Sequence, residues 1–143
     1  MIEYSISAVR FLWDCTIESV EHQKSCNNES SSSTTGNGAI LAHCMGLGKT
    51  LSIISFLHTL LRYPEQLNIR TCLIICPVNT LLNWKHEWDI WLPEDEPVDV
   101  FELASKGSSR FKLDILNNWH KNGGVLIIGY DMFRNFVMTL MKR

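Results

Sequence analysis

Apolar positions along the chain switch between helical and strand-like repeats, and the switches mark its elements. Ile6, Val9, Leu12, Trp13, Ile17 and Val20 recur mostly at three- and four-residue intervals. One face of a helix has that period, so an amphipathic helix is predicted from Ile6 to about Lys24. Ser25 to Asn37 includes the run Ser30-Ser31-Ser32-Ser33-Thr34-Thr35-Gly36-Asn37. It has too little apolar area to fold on its own and reads as a flexible loop. Gly38 to Ala42 reads as a short strand, and Cys44 to Gly48 as a glycine-rich turn. Lys49 to Arg62 reads as a helix on the stripe Leu51, Ile54, Leu57 and Leu61, and Tyr63-Pro64 closes it, because a residue before proline leaves the α region.

Arg70 to Cys76 is continuously apolar, as a strand buried on both faces of a parallel sheet would be. Pro77 ends it, and Asn79 or Thr80 is placed to cap the next helix. Leu81, Trp84, Trp88 and Trp91 share one face of that helix, a spacing that favours packing on a sheet over base stacking. A strand from Val98 to Leu103 follows. A helix from about Ser108 to Lys121 carries Phe111, Ile115, Leu116 and Trp119 on one stripe. Asn122-Gly123-Gly124 turns the chain, Val125 to Ile128 forms a buried strand, and Asp131 to Met141 a last helix capped by Asp131. Strands alternating with helices of ten or more residues predict an α/β fold with a parallel sheet.

Composition narrows the function classes. The 143 residues are 45% hydrophobic and 20% charged, which suits a globular domain rather than a disordered chain or a fibre. The length predicts one domain. No apolar run approaches the ~20 residues of a membrane helix. Glu3 stands where a secretory signal would be basic, so no signal peptide is expected. The net charge of −2 gives no global basic footprint, so any contact with nucleic acid has to be local. The five cysteines (Cys15, Cys26, Cys44, Cys72 and Cys76) form no CxxC pair. Cys72 and Cys76 lie four apart and would share a strand face as buried free thiols. The five histidines show no metal-ligand spacing.

The strongest chemical signal is Gly46-Leu47-Gly48-Lys49-Thr50, between an apolar strand and an amphipathic helix. Glycines let the backbone approach phosphates, and a helix N-terminus adds partial positive charge. Lys49 would reach the β- and γ-phosphates and the Thr50 hydroxyl would hold Mg²⁺. The candidate ATP-binding set is Cys44, Met45, Gly46, Leu47, Gly48, Lys49, Thr50 and Leu51, with Lys49 as the catalytic candidate. His43 stands where the strict GxxxxGK[ST] pattern has its first glycine. A nucleotide hydrolase also needs an acid at the end of a later strand. The nearest candidate, Asp131, comes two residues after the apolar run and reads better as a helix cap.

At this point the residues resemble a known family. Leu41 to Thr50 is similar to motif I of Swi/Snf-type, helicase-superfamily DNA-dependent ATPases, and His43-Cys44 resembles its ATRX-like subgroup. Trp13-Asp14-Cys15 with Glu18-Ser19-Val20 resembles the segment before motif I. Cys76 to Trp84, with Glu87 and Trp91, resembles motif Ia, and Gly123 to Arg134 resembles motif Ib. The resemblance implies the N-terminal part of the first RecA-like P-loop lobe of a chromatin-remodelling motor, its sheet incomplete. It assigns residues 1–24 to a helix before the motor motifs, 25–37 to the serine-rich loop and 38–143 to the partial lobe. It implies ATP and Mg²⁺ as cofactors and duplex DNA or chromatin as partner, with no membrane and a nuclear location. Asn79, Thr80, Gly129 and Tyr130 would touch the DNA backbone, contacts that position without reading sequence.

Two departures qualify that picture. Ser5 stands where the family carries an adenine-recognising glutamine. The Asp-Glu-Ala-His-type motif that serves Mg²⁺ and water does not occur in these residues. The expectation is a piece of a larger remodeller that by itself does not turn over ATP. A small phosphotransferase using Lys49, Thr50 and Asp131, and a non-enzymatic nucleotide- or partner-binding module, remain the alternatives.

Overall fold

The computed structural model describes residues 2–17, 38–92, 95, 97–103 and 107–140. The chain forms two compact units, residues 1–69 and 70–143.

In the first unit, helix α1 spans Ile2–Thr16 and α2 spans Lys49–Arg62. The spacing locates α2 correctly at both ends, but α1 begins four residues before the predicted Ile6. Its final turn is tied by the Thr16 hydroxyl, which donates to the Leu12 carbonyl at 2.7 Å. The predicted continuation to Lys24 and the serine-rich loop lie outside the described residues. Leu12, Ile17, Phe56, Leu60 and Leu67 form a buried core, with Val9, Trp13, Ile53 and Leu57 packed around it. Pro64 opens the single turn α3, Pro64–Leu67, at a position where its missing N–H leaves no intrahelical bond unmade.

The strand predicted at Gly38 to Ala42 is not formed: the segment has no regular structure, and Ile40 is exposed. A strand exists only through ladder hydrogen bonds to a neighbour, and no described residue pairs with this one. Ala39 instead packs on the helical core.

The second unit is built on a parallel three-stranded sheet, β1 (Thr71–Cys76), β2 (Val100–Leu103) and β3 (Gly124–Gly129), in the order β1-β3-β2. The α/β prediction is met in this small form. Central β3 is buried on both faces, with Val125, Leu126, Ile127 and Ile128 all at 2% exposure or less. β1 departs from prediction. Cys72, Ile74 and Cys76 are buried, but Leu73 and Ile75 keep 41% and 36% exposure. β1 therefore has one covered and one exposed face, which its unbroken apolar run does not signal.

Helices α4 (Leu81–Trp91), α5 (Ser109–Asn122) and α6 (Tyr130–Leu140) complete the unit. Leu81 and Trp88 of α4 are buried, whereas Trp91 is exposed and its indole N–H donates to Glu87 at 2.7 Å. Ser108 caps α5 by accepting the Phe111 N–H at 3.3 Å. Ile115, Leu116 and Trp119 pack on Leu103, Leu126 and Ile128. Phe111, predicted on the same stripe, is exposed instead. β2 starts at Val100 rather than Val98, because its ladder opens where the Val125 N–H meets the Asp99 carbonyl at 2.8 Å.

Cys72 and Cys76 share the buried face of β1, as their spacing predicts, and both are free thiols. Burial pushes the Cys72 thiol up from 9.0 to about 11. The unfolded thiol therefore ionises first as pH rises. The stability Cys72 contributes is complete below pH 9, falls between pH 9 and about 11, and is gone above. In urea titrations across that range, wild type should lose stability relative to Cys72→Ala. Parallel curves for the two proteins would contradict the prediction.

Candidate functional site

The phosphate-loop candidates lie together in the first unit. Gly46 and Gly48 have φ of 80° and 75°, the left-handed region that favours glycine. Gly48 is the N-cap of α2 and offers no side-chain acceptor to the first-turn amides. That turn carries Lys49 and no acidic residue. The opening amides of a helix have no intrahelical partner. Together with the lysine they form a positive end without a built-in counter-charge, which fits an anion such as a polyphosphate. A Cβ added at Gly46 would meet nothing within 4 Å, so there is room beside the loop.

Lys49 is folded back over its own loop. Its Nζ donates to the carbonyls of His43 and Cys44, each at 2.8 Å. These bonds set the lysine at the mouth of the turn. Met45 is exposed, while Leu47, Thr50 and Leu51 are half-buried. The His43 Nδ1 is buried without a hydrogen-bond partner. Sequence reasoning missed Ser52. It is fully buried, and its hydroxyl donates to the Gly48 carbonyl at 3.0 Å, alongside its own N–H at 2.9 Å. These two hydrogen bonds accepted by one carbonyl fix the loop-to-helix junction. The available signal was a serine four residues after Gly48 and next to Ile53 and Ile54.

The other candidates sit in the second unit, where β1 and β3 end side by side. Their register pairs Cys76 with Gly129, so Pro77–Thr80 and Gly129–Tyr130 leave the sheet from the same C-terminal edge. Parallel sheets carry their ligand sites at that edge. Gly129 is buried, and an added Cβ would sit 3.6 Å from the Val78 side chain, so the two segments touch. Asn79 and Tyr130 are exposed.

The capping roles expected here are not found. Val78–Thr80 forms a 3₁₀ turn, and no side chain caps α4. The Thr80 hydroxyl instead donates backwards to the Pro77 carbonyl at 2.8 Å, an alternative open to short hydroxyl side chains. Asp131 does not cap α6 either. β3 runs directly into the helix at Tyr130, which puts Asp131 inside its first turn, in an exposed ion pair with Arg134 at 3.0 Å. Ser5, at the expected adenine position, is buried near Ile6, Val9 and Leu51 along a cleft in the first unit. Among the described residues no cluster of three His, Cys, Asp or Glu side chains could hold a metal ion, and no helix is long and apolar enough to cross a membrane.

Comparison with known proteins connects these features. The family described as the SNF2-related domain matches residues 4–143. The chain is 44% identical over 135 residues to the transcriptional regulator ATRX of Homo sapiens, covering 92% of this chain and 5% of that protein. It is 40% identical over 133 residues to the protein CHROMATIN REMODELING 20 of Arabidopsis thaliana, covering 92% and 8%. To helicase ARIP4 of Homo sapiens it is 40% identical over 154 aligned positions, covering 97% and 10%. The chain thus spans a tenth or less of these curated relatives.

Proposed function

The chain belongs to the SNF2-related domain family, and from that premise we propose that it is the ATP-binding portion of an ATRX-like, DNA-translocating chromatin remodeller acting in the nucleus. In this reading residues 38–143 belong to a RecA-like lobe, with motif I at Cys44 to Leu51. The observation that carries it is the positive helix end at Gly48-Lys49-Thr50, which has neither cap nor acid to neutralise it.

The loop amides and Lys49 would bind the β- and γ-phosphates of ATP, and the Thr50 hydroxyl would hold Mg²⁺. ATP supplies the phosphoryl group whose hydrolysis drives a motor of this kind. Gly46 and Gly48 keep the backbone open to the phosphates, and Ser52 keeps Gly48 in place. Asn79, Thr80, Gly129 and Tyr130 would meet the phosphates of duplex DNA at the C-terminal sheet edge. Exposed Asn79 and Tyr130 can donate there, while buried Gly129 lets the two segments close on each other. Such contacts position a motor without sequence preference. Adenine recognition would not pass through a glutamine, because position 5 is a buried serine.

Calorimetric titration of the 143-residue chain tests this. ATP should bind saturably, more tightly with Mg²⁺ than with EDTA, and Thr50→Ala should erase the Mg²⁺ advantage. Phosphate release should stay at background even with DNA, since no Asp-Glu-Ala-His-type motif is present in these residues. Absence of ATP binding would overturn the reading. DNA-stimulated turnover would overturn its non-hydrolytic part.

A further inference from the structure

Building on the reading of Gly46 to Thr50 as a triphosphate loop, we propose that the cleft between α1 and α2 holds the purine of the nucleotide without reading it. The site would then accept guanosine triphosphate as readily as adenosine triphosphate.

The cleft encloses about 440 Å³, within the range of small-molecule sites. Ser5, Ile6, Val9 and Arg10 line it from α1, and Leu51 and Ser55 from α2. Residues four apart share a helix face, so one face of each helix forms a wall. The cleft lies at the loop end of the pair. The two helices share their core at Leu12, Phe56 and Leu60, and every residue of the cleft precedes these on its own helix. On α2 that direction leads to Gly48-Lys49-Thr50. Leu51 directly follows Thr50, and Ser55 stands about 6 Å further along the axis. Those short steps put the cleft within reach of a base whose phosphates sit on the loop amides.

The lining decides what can be read. Adenine presents an amino donor where guanine presents a carbonyl acceptor, and both present N7. A side chain that selects adenine has to accept from that amino group. Ser5 is 8% exposed and already engaged, so it is not offered to a base. The Arg10 guanidinium donates and accepts nothing, so it gives adenine no advantage. The Ser55 hydroxyl can donate or accept and suits either purine. Ile6, Val9 and Leu51 supply the rest of the surface. With Ile6 49% exposed, the cleft stays open to water, which hydrates the polar edge of either base. Apolar pockets discriminate weakly between ligands of similar shape, because neither leaves a polar group of the site unpaired. What the walls do meet is the face of the purine, which the two nucleotides share.

Calorimetric titration of the 143-residue chain with Mg²⁺ tests this, using ATP, GTP and inorganic tripolyphosphate. ATP and GTP should bind within about threefold of each other, and tripolyphosphate, which has no base, at least about fivefold more weakly. Ile6→Asn, an uncharged change at an exposed side chain, should weaken both nucleotides at least about threefold and leave tripolyphosphate unchanged. Should that variant not fold, the comparison of the three ligands on wild type decides alone. A preference above tenfold for either nucleotide would overturn the proposal. So would tripolyphosphate binding as tightly as ATP, or a folded Ile6→Asn chain with full affinity for both nucleotides. In each of these outcomes the loop still binds its phosphates and the nucleotide-binding reading stands. Failure of all three ligands to bind would overturn that reading and the proposal with it.

Discussion

Gly124→Val is expected to unfold the second unit. Gly124 has φ of +99°, and a Cβ built there would come to 2.3 Å from the Asp99 carbonyl oxygen and 3.1 Å from its carbon. A left-handed or similarly strained conformation costs a non-glycine residue about 1–3 kcal/mol before any clash, and a β-branched side chain tolerates it least. The clash falls on backbone that cannot rotate away. The Asp99 carbonyl also accepts the Val125 N–H that opens the β2–β3 ladder. Relieving the overlap pulls β2 off the central strand, at about 1 kcal/mol for each ladder bond lost, and uncovers Leu103, Leu126 and Ile128. The total is comparable with the roughly 5–15 kcal/mol stability of a typical domain. Circular dichroism and urea titration should show loss of cooperative structure in residues 70–143. Gly129→Ala is the control, since its Cβ would meet Val78 at an ordinary 3.6 Å. A cooperative transition for Gly124→Val within 1 kcal/mol of wild type, on the scale of typical surface changes, would refute the argument.

Lys49→Ala should lose most ATP affinity while leaving the fold intact. The Lys49 ammonium bonds the backbone carbonyls of half-buried His43 and exposed Cys44, in a turn where water can replace it. Stability should therefore change little. Toward a phosphate the same ammonium is a charged donor, and such bonds are worth about 1.5–3 kcal/mol. That corresponds to roughly 10- to 150-fold in dissociation constant. Lys49→Arg should recover part of the electrostatic share and not all of the geometry, because a guanidinium fork does not replace a point charge. Calorimetry at two salt concentrations separates these terms, as the electrostatic share weakens with salt. Equal ATP affinity in wild type and Lys49→Ala would remove this lysine from the site.

Legibility followed how local each determinant is. Helix α2 was readable at both ends, because its start is fixed by Gly48-Lys49 and its stop by Tyr63-Pro64. The burial of Val125 to Ile128 follows the expectation for four successive apolar residues, whereas the similar run of β1 leaves Leu73 and Ile75 exposed. Asn79 and Asp131 were misread as caps, because Asn79 falls inside the 3₁₀ turn Val78–Thr80 and the direct passage of β3 into α6 puts Asp131 inside that helix. Thr80 does stand at the N-cap of α4, but its hydroxyl donates to the Pro77 carbonyl instead of accepting from the helix. Ser52 is the exception: its bond to the Gly48 carbonyl is an ordinary local i−4 back-bond, but its complete burial depends on packing that residue type and spacing do not show.

The sequence by itself determined the periodic elements, the glycine-lysine loop that opens α2, and membership of the SNF2-related domain family, which matches residues 4–143. Those properties reside in residue type and short spacing, where sterics, capping and hydrophobic period act within a few residues. Only the tertiary structure decided which strands pair. It left Gly38 to Ala42 without a ladder and exposed one face of β1. It placed Gly129 against Val78 and turned the backbone groups of Val100 and Glu102 away from β3, along an edge that no described strand pairs. Pairing and coverage depend on residues far apart in the chain, and a backbone hydrogen bond gives no sign in the sequence of which partner will accept it.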